Sequence, residues 1–547
     1  MSNRTTIVSK ALDQVDEISP SSRVVAACNY GPSVFAKPGS WRGFDIMAIC
    51  DGYSEGVRSY LRIIDRNEIR YLLVEKELID SDILKGSLGD FLTDKLLYPY
   101  SALRNTEYLD QLALQLRTRI IYEQVQDLVF EYGEMSRGLV INPEYFALAR
   151  MRTRARIFTP SMGDYLRLLE PPVREANIAM LRTEFMEAFQ GLRGKVVELE
   201  ADNILLLDAA IDENLKNRAS GQVVNILKQS QKAFYSYLTK GRTIFPSLDL
   251  LTRELYEPFR LMTNPDPIRK NPEDPKNFLY LKTRTGLVSV NEQSSLEETV
   301  SRIRPSRAIT IVPLAGVLNE VFLVTSGRDQ FVAKKFTDWH GFKWFTLNLV
   351  SFGSKLFSVS GKARMTNEYG INRYLAKRRL NVPGIVHVSM NERILLEDYI
   401  PGEPMNQSIT RMVNQTVLEA SEIHIAELLG ETLAKIHEIG VSIGDSKPEN
   451  FVSSNGVIFT VDLEQAGKNG DYAWDIAELL YYSGHYCRSA APTGGLVEMM
   501  KAFLRGYQKR GDKAELRKAA GVRYAKVFSI WTPAPILLET SKMLREM

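Results

Sequence analysis

Residues 444–450 read Gly-Asp-Ser-Lys-Pro-Glu-Asn, and a second acid follows as Asp462, within Val461-Asp462-Leu463-Glu464. Residue types in this order supply a specific chemistry. Asp445 can orient a hydroxyl and accept its proton, and Lys447 can neutralise charge on a phosphoryl group in transfer. Asn450 and Asp462 offer oxygen ligands to one hard cation held against nucleotide phosphates. Taken alone, Asp, Pro and Asn would also make an ordinary surface turn. The flanks argue for more than a turn. Ile425, Leu428, Leu429, Leu433 and Ile436 fall on one face of a helix that feeds the loop. Phe451-Val452 and Val457 to Val461 flank Ser453-Ser454-Asn455-Gly456, a short hairpin between the loop and Asp462.

Elements that would position this loop stand upstream. Ala308 to Val312 and Val321 to Val324 read as strands joined across Pro313 to Glu320, and Gln330 to Phe336 as a third. The third strand carries Val332-Ala333-Lys334-Lys335, so alternation puts Ala333 and Lys335 on one face and Val332 and Lys334 on the other. A helix led by Arg364-Met365-Thr366-Asn367-Glu368 runs to Lys377, and Ile394 to Gly402 reads as a strand that leaves into a connector.

The pattern D-x-K-x-x-N, an apolar hairpin and a further Asp resembles the catalytic loop of the protein-kinase-like superfamily. The resemblance spans about residues 300–490. It is nearest to atypical archaeal and bacterial branches: the kinase of the KEOPS tRNA-modification complex, lipopolysaccharide kinases and aminoglycoside-phosphotransferase-like enzymes. It implies a bilobal fold, ATP and Mg²⁺ as cofactors, and transfer of the γ-phosphate to a hydroxyl of a protein or small molecule. Asp445 then stands as catalytic base, Lys447 as charge partner, and Asn450 and Asp462 as Mg²⁺ ligands. Gly470 to Ala477 resembles the segment of small-molecule kinases in which an Asp at a helix start braces the catalytic loop, here Asp475. The small Ala333 suits an adenine pocket, which favours Lys335 for nucleotide phosphates, with Lys334 as the alternative; Glu368 fits the acid that pairs with the lysine. Gly316 would approach phosphates, and Glu397 and Tyr399 belong to the hinge that meets adenine.

The chain also departs from the superfamily pattern. Gly316 stands alone where many kinases carry a glycine-rich loop, Leu463-Glu464 replaces Phe-Gly, and Gly444 replaces the Arg before the catalytic Asp. The last two remove an activation-loop switch and its phosphate anchor, and imply a constitutive enzyme.

The N-terminal third carries a second resemblance. Val24 to Cys28 ends in Asn29-Tyr30-Gly31-Pro32-Ser33, and Gly43 to Cys50 reads as a strand starting at Asp45. This resembles polymerase-β-like nucleotidyltransferases, in the mitochondrial CDP-diacylglycerol synthase branch, and implies that Gly31 and Ser33 contact triphosphate while Asp45 binds metal. Two-metal chemistry needs paired carboxylates. Met47 occupies the second position, leaving Asp51 or Glu75 to substitute.

The chain has 547 residues, enough for about three domains at ~150 residues each. The expected division is a nucleotidyltransferase-like α/β domain at 1–105, a helical domain at 106–263, and a Pro-rich linker at 264–277. A kinase-like N-lobe follows at 278–405 and a C-lobe at 406–547, giving an α+β multidomain chain. Tyr108 to Tyr132 and Pro171 to Gly241 carry helical periodicity. Arg150, Arg152, Arg154 and Arg156 would line one strand face that could meet triphosphate, RNA or lipid headgroups. An insertion at 338–360 bears Trp339, Phe342, Trp344, Phe345 and Phe352, which reads as an extra packed helix or a lid or membrane-surface contact.

Lys plus Arg total 69 against 66 acids, so no global field argues for nucleic acid or membrane. Cys28, Cys50 and Cys487 are too scattered for a disulfide framework, and no signal-peptide core or bilayer-length apolar run appears, which places the protein in the cytoplasm. The competing reading is a nucleotidyltransferase whose kinase-like half is a nucleotide-binding regulator or pseudokinase scaffold.

Overall fold

A computed structural model of the chain describes residues 2–18, 20–41, 43–90, 92–157, 159–218, 273–303, 308–314, 319–338, 358 and 360–547. Two compact units divide it: Met1–Glu131 with Val140–Leu279, and Tyr132–Leu139 with Tyr280–Met547. Each mixes helices with sheet, consistent with an α+β multidomain chain.

In the first unit, α1 (Ser2–Ile18) precedes a five-stranded sheet of β1 (Arg23–Tyr30), β2 (Phe44–Asp51), β3 (Val57–Ile64), β4 (Asn67–Glu75) and β5 (Ser101–Arg104). The spatial order is β3-β4-β2-β1-β5. β2 lies at the centre because it is apolar almost throughout, the mark of a strand covered on both faces. Phe44, Ile46, Ala48 and Cys50 join Ala11 and Val15 of α1 and Ile69, Tyr71 and Leu73 of β4 in one core. Alternation therefore turns Asp45 and Met47 to the other face. β2 and β4 are parallel, and their register sets Asp45 beside Arg70.

Two expectations for this unit are corrected. The arginines at 150–156 lie on a helix, α3 (Glu144–Ile157), which follows α2 (Thr106–Tyr132). Buried Phe146, Ala147, Met151 and Ala155 recur at helical spacing there, and that pattern outweighs the every-second-residue Arg spacing. No basic face results: Arg150 pairs with Asp90 and Glu123, Arg154 with Asp94 at 2.6 Å, and Arg152 with Asp274 at 2.7 Å. The helical reading of Pro171 to Gly241 is interrupted. α4 (Arg174–Leu192) gives way to a hairpin of Val197–Glu200 with Asn203–Leu206, and a helix resumes at Asp208–Arg218. Gly194 (φ 73°) and Ala201 (φ 54°) take left-handed backbone at the two turns, and β-branched Val197 and Ile204 suit the strands.

In the second unit, α5 (Leu296–Ile303) covers one face of an antiparallel sheet. Its strands are β6 (Ile309–Leu314), β7 (Glu320–Ser326), β8 (Asp329–Lys335), β9 (Ile385–Ser389) and β10 (Ile394–Asp398), in the order β6-β7-β8-β10-β9. α6 (Gly361–Lys377) connects β8 to β9. A mainly helical part follows, with α7 (Ala420–Glu438), the hairpin β11 (Phe451–Ser454) and β12 (Val457–Thr460), α8 (Tyr472–Ser483) and α9 (Gly494–Gln508). Leu429, Leu433, Phe451, Ile476 and Phe503 belong to its common core. α7 and α9 touch backbone to backbone. A Cβ on Gly430 would lie 2.1 Å from the Phe503 carbonyl oxygen, and one on Gly506 would lie 1.9 Å from that of Glu427. Only glycine permits that approach.

Gly316, most of the 264–277 linker and the 338–360 insertion apart from Asp338, Ser358 and Ser360 lie outside the described residues. Among those described, no helix is long and apolar enough to cross a membrane.

Candidate active site

The loop at 444–450 is built from the backbone outward. Gly444 adopts φ 78°, where the Arg of the usual pattern would be strained. Asp475, fully buried one turn into α8, takes the amide N–H of Ile443 on Oδ2 and that of Gly444 on Oδ1, each at 2.7 Å. His437 Nε2 meets the same Oδ2 at 3.0 Å, and its Nδ1 lies 2.7 Å from the Tyr507 hydroxyl. Both Asp475 oxygens already accept backbone N–H groups, so Nε2 is the donor to Oδ2. Glu478, one turn further along α8, accepts the Ser446 amide at 2.7 Å and the Trp474 indole N–H at 3.2 Å. Two buried carboxylates on one helix face thus hold the loop.

Within the loop, Lys447 Nζ stands 2.8 Å from Asp445 Oδ1. Burial works against the Lys447 ammonium, but Asp445 and Glu478 outweigh it and hold its pKa above the ordinary lysine value. Asn450 Nδ2 donates to the Asp445 carbonyl at 2.7 Å, which leaves Oδ1 as the atom open to a cation. The Asn455-Gly456 turn, with both residues at positive φ, closes the β11–β12 hairpin in the manner of a two-residue loop. The hairpin returns the chain so that the Val461 N–H donates to the Asn450 carbonyl at 3.0 Å, bringing Asp462 beside Asn450. A carboxylate and an amide oxygen are a donor set suited to Mg²⁺.

The sheet supplies a lysine, and it is Lys334 rather than the expected Lys335. Lys334 Nζ lies 2.8 Å from Glu368 Oε1, 3.3 Å from Glu397 Oε2 and 2.8 Å from the Val461 carbonyl. Alternation along β8 holds as expected, but the assignment of faces is reversed. Ala333 packs against Val300 of α5 in the core, and Lys335 on that same face is half-exposed, 3.8 Å from Glu320. A small side chain answers a close helix as readily as a ligand. Val332 shares the face of Lys334.

Glu368 also accepts the Leu463 N–H on Oε2 at 2.6 Å, so one side chain ties Lys334 to the Asp462 segment. Burial opposes the Lys334 charge, yet Glu368, Glu397 and Asp462 together hold the ammonium well above the usual lysine range. Burial pushes the carboxyls of Glu368 and Glu397 up, against the opposing pull of Lys334. Glu397 is thus a buried partner of Lys334 within β10. In the connector beyond it, Tyr399 is exposed and its N–H donates to the Gln330 carbonyl at 3.2 Å.

The other predicted cluster sits in the first unit. Gly31 (φ 76°) adjoins Asp45, for a Cβ there would lie 3.1 Å from Asp45 Oδ2. Ser33 Oγ donates to Asn29 Oδ1 at 3.0 Å. Asp45 accepts from Arg70 Nε at 2.5 Å and from Nη2 at 2.9 Å, and that guanidinium stacks on Trp41. Met47, on the same face, is buried, and Glu75 accepts the Tyr53 N–H. Among the described residues no group of three His, Cys, Asp or Glu side chains could hold a metal. Asp45 is instead committed to its ion pair with Arg70.

Several residues of the second unit's site escaped sequence reasoning. Glu478 carried a signal, being three positions after Asp475 on one helix. Arg364, Asn319 and Glu464 carried less, because they meet only in the fold. Glu464 has its carboxyl pushed up to about 7 by burial and by Asp462, against the pull of Arg364 and Asn319.

No family model matches the chain. KEOPS complex subunit Bud32 of Pyrococcus abyssi (strain GE5 / Orsay) is 25% identical over 102 residues, 19% of this chain and 44% of Bud32. The chain thus spans less than half the length of that relative. The solved structure of WaaP in complex with acyl carrier protein matches at 14% identity and a TM-score of 0.29, covering 46% of this chain and 99% of that one. The weak homology to Bud32 supports a protein-kinase-like superfamily. The nucleotidyltransferase resemblance finds no support in these comparisons.

Proposed function

We propose that the second unit is an atypical ATP- and Mg²⁺-dependent kinase, transferring the γ-phosphate to a hydroxyl of a protein or small molecule. The observation that carries this reading is the joint Lys334–Glu368–Leu463 connection, which ties sheet, helix and Asp462 segment into one arrangement beside a braced Asp445. In this reading Asp445 receives the proton of the acceptor hydroxyl, and Lys447 neutralises charge as the phosphoryl group moves. Lys334 meets nucleotide phosphates. Asn450 and Asp462 would hold Mg²⁺, which when bound neutralises phosphate charge. Gly316 is the proposed phosphate contact of the β6–β7 connection, and the β10 connector at Glu397 to Tyr399 the adenine-facing edge. The free thiols of Cys28, Cys50 and Cys487 fit a cytoplasmic setting.

Paired substitutions separate this from the competing reading. Asp445→Ala should lower phosphate transfer by roughly 10²-fold or more, the usual weight of a positioned general base. Asp45→Ala should leave transfer intact, because Asp45 serves an ion pair with Arg70. Steady-state transfer assays decide, and a reversed pattern would move the chemistry to the first unit.

A further inference from the structure

Arg364 has no solvent exposure, which is unusual for a guanidinium, and it lies one turn before Glu368 on α6. Its Nη1 donates to Glu464 Oε2 at 2.9 Å and to Asn319 Oδ1 at 2.6 Å, and Nη2 donates to the Thr337 carbonyl. Asn319 closes the ring by donating to the same Glu464 oxygen at 2.6 Å. Three separate segments meet here: the approach to β7, the helix α6, and the residue two beyond Asp462. The backbone follows. The Glu464 N–H donates to Asp462 Oδ1 at 3.3 Å, and its carbonyl accepts from Asn367 at 3.4 Å. With the Leu463 N–H on Glu368, residues 462–464 are fixed to α6 at successive positions.

Burying a guanidinium is tolerated only while its partners remain. An arrangement that swung the Asp462 segment away would strip the buried Arg364 of its carboxylate, which disfavours it. We propose that Arg364, Asn319 and Glu464 are positioning residues, a permanent latch that holds Asp462 and Glu368 in their ligand-ready places without an activating modification. This rests on the kinase reading of the site. The latch occupies the place where the sequence has Leu463-Glu464 instead of a mobile switch.

The test uses the full chain, with Mn²⁺ and ATP as probes. Binding of Mn²⁺–ATP is measured by electron paramagnetic resonance, and exchange of the 461–466 amides by mass spectrometry. Glu464→Ala should weaken Mn²⁺–ATP binding by about 10- to 100-fold, the cost typical of losing an outer partner of a metal ligand. Its Leu463 and Glu464 amides should exchange faster, while Glu464→Gln, which still accepts from both donors, should stay near wild type. Asn319→Ala, at a partly exposed position, gives a milder change in the same direction if Glu464→Ala fails to fold. Wild-type affinity and exchange in Glu464→Ala or Asn319→Ala would overturn the latch, whatever happens to the melting temperature. Absence of Mn²⁺–ATP binding in the wild type would instead strike the kinase reading, and the exchange measurement would still decide the latch.

Discussion

Lys334→Met is expected to remove phosphate transfer by roughly 10²- to 10³-fold, the range for deleting one preorganised charge at a reacting phosphoryl group. Lys335→Met is expected to stay within a few-fold of wild type. The two neighbours differ because β8 alternates, and α6 presents Glu368 to only one face. Lys334 is buried among three carboxylates, so its loss also leaves Glu368 and Glu397 without their cation. Breaking such a buried pair costs about 3–5 kcal/mol. The variant should therefore unfold earlier, with a lower denaturation midpoint and an unchanged slope. Lys335 shares only a long contact with the exposed Glu320 and should move neither quantity. Kinetics and urea denaturation of both variants provide the check. A loss confined to Lys335→Met would mean that phosphate is met on the α5 side of the sheet, and equal losses would remove the distinction between the two lysines.

Asp475→Asn should be the most damaging isosteric change outside the reacting groups. The carboxylate takes two backbone N–H groups and the His437 imidazole, all buried. An amide has one acceptor oxygen, so its NH₂ would face a donor. Hydrogen bonds to charged groups contribute about 1.5–3 kcal/mol each. The loop that carries Asp445 would lose its fixed backbone, and a displacement of ~1 Å at a reacting group can cost 10²-fold in rate. Expected together are a lower melting temperature and a kcat reduced by roughly that factor, with nucleotide binding less affected. A variant with wild-type kcat would show that the loop keeps its shape without the brace.

Local patterns in this chain were legible where one period dominated. The loop, its hairpin with Asn455-Gly456 and the helix that carries Glu368 all declared themselves through turn chemistry and apolar spacing. Lys334 and Lys335 could not be separated that way. Alternation divides them between two faces, but which face meets the helix α5 and which meets α6 is a property of packing around the sheet. The arginines at 150–156 are a related case: their spacing of two suggests a strand, but Phe146, Met151 and Ala155, whose burial sets the helix, carry the stronger period. Asp45 was visible as an acid at the start of a strand. Its partner Arg70 was not, because a parallel pairing brought it from β4. Arg364, Asn319 and Glu464 converge from segments far apart in the chain, and no periodicity connects them.

In the proposed kinase, Asp462 holds the cation of a working phosphotransferase. The most direct measurement is turnover of γ-labelled ATP with Mg²⁺, with label transfer and hydrolysis read separately, in the wild type and in Asp462→Ala. Turnover is expected in the wild type and its loss in the variant, with both chains folded by circular dichroism. Turnover that persists unchanged in Asp462→Ala would contradict it.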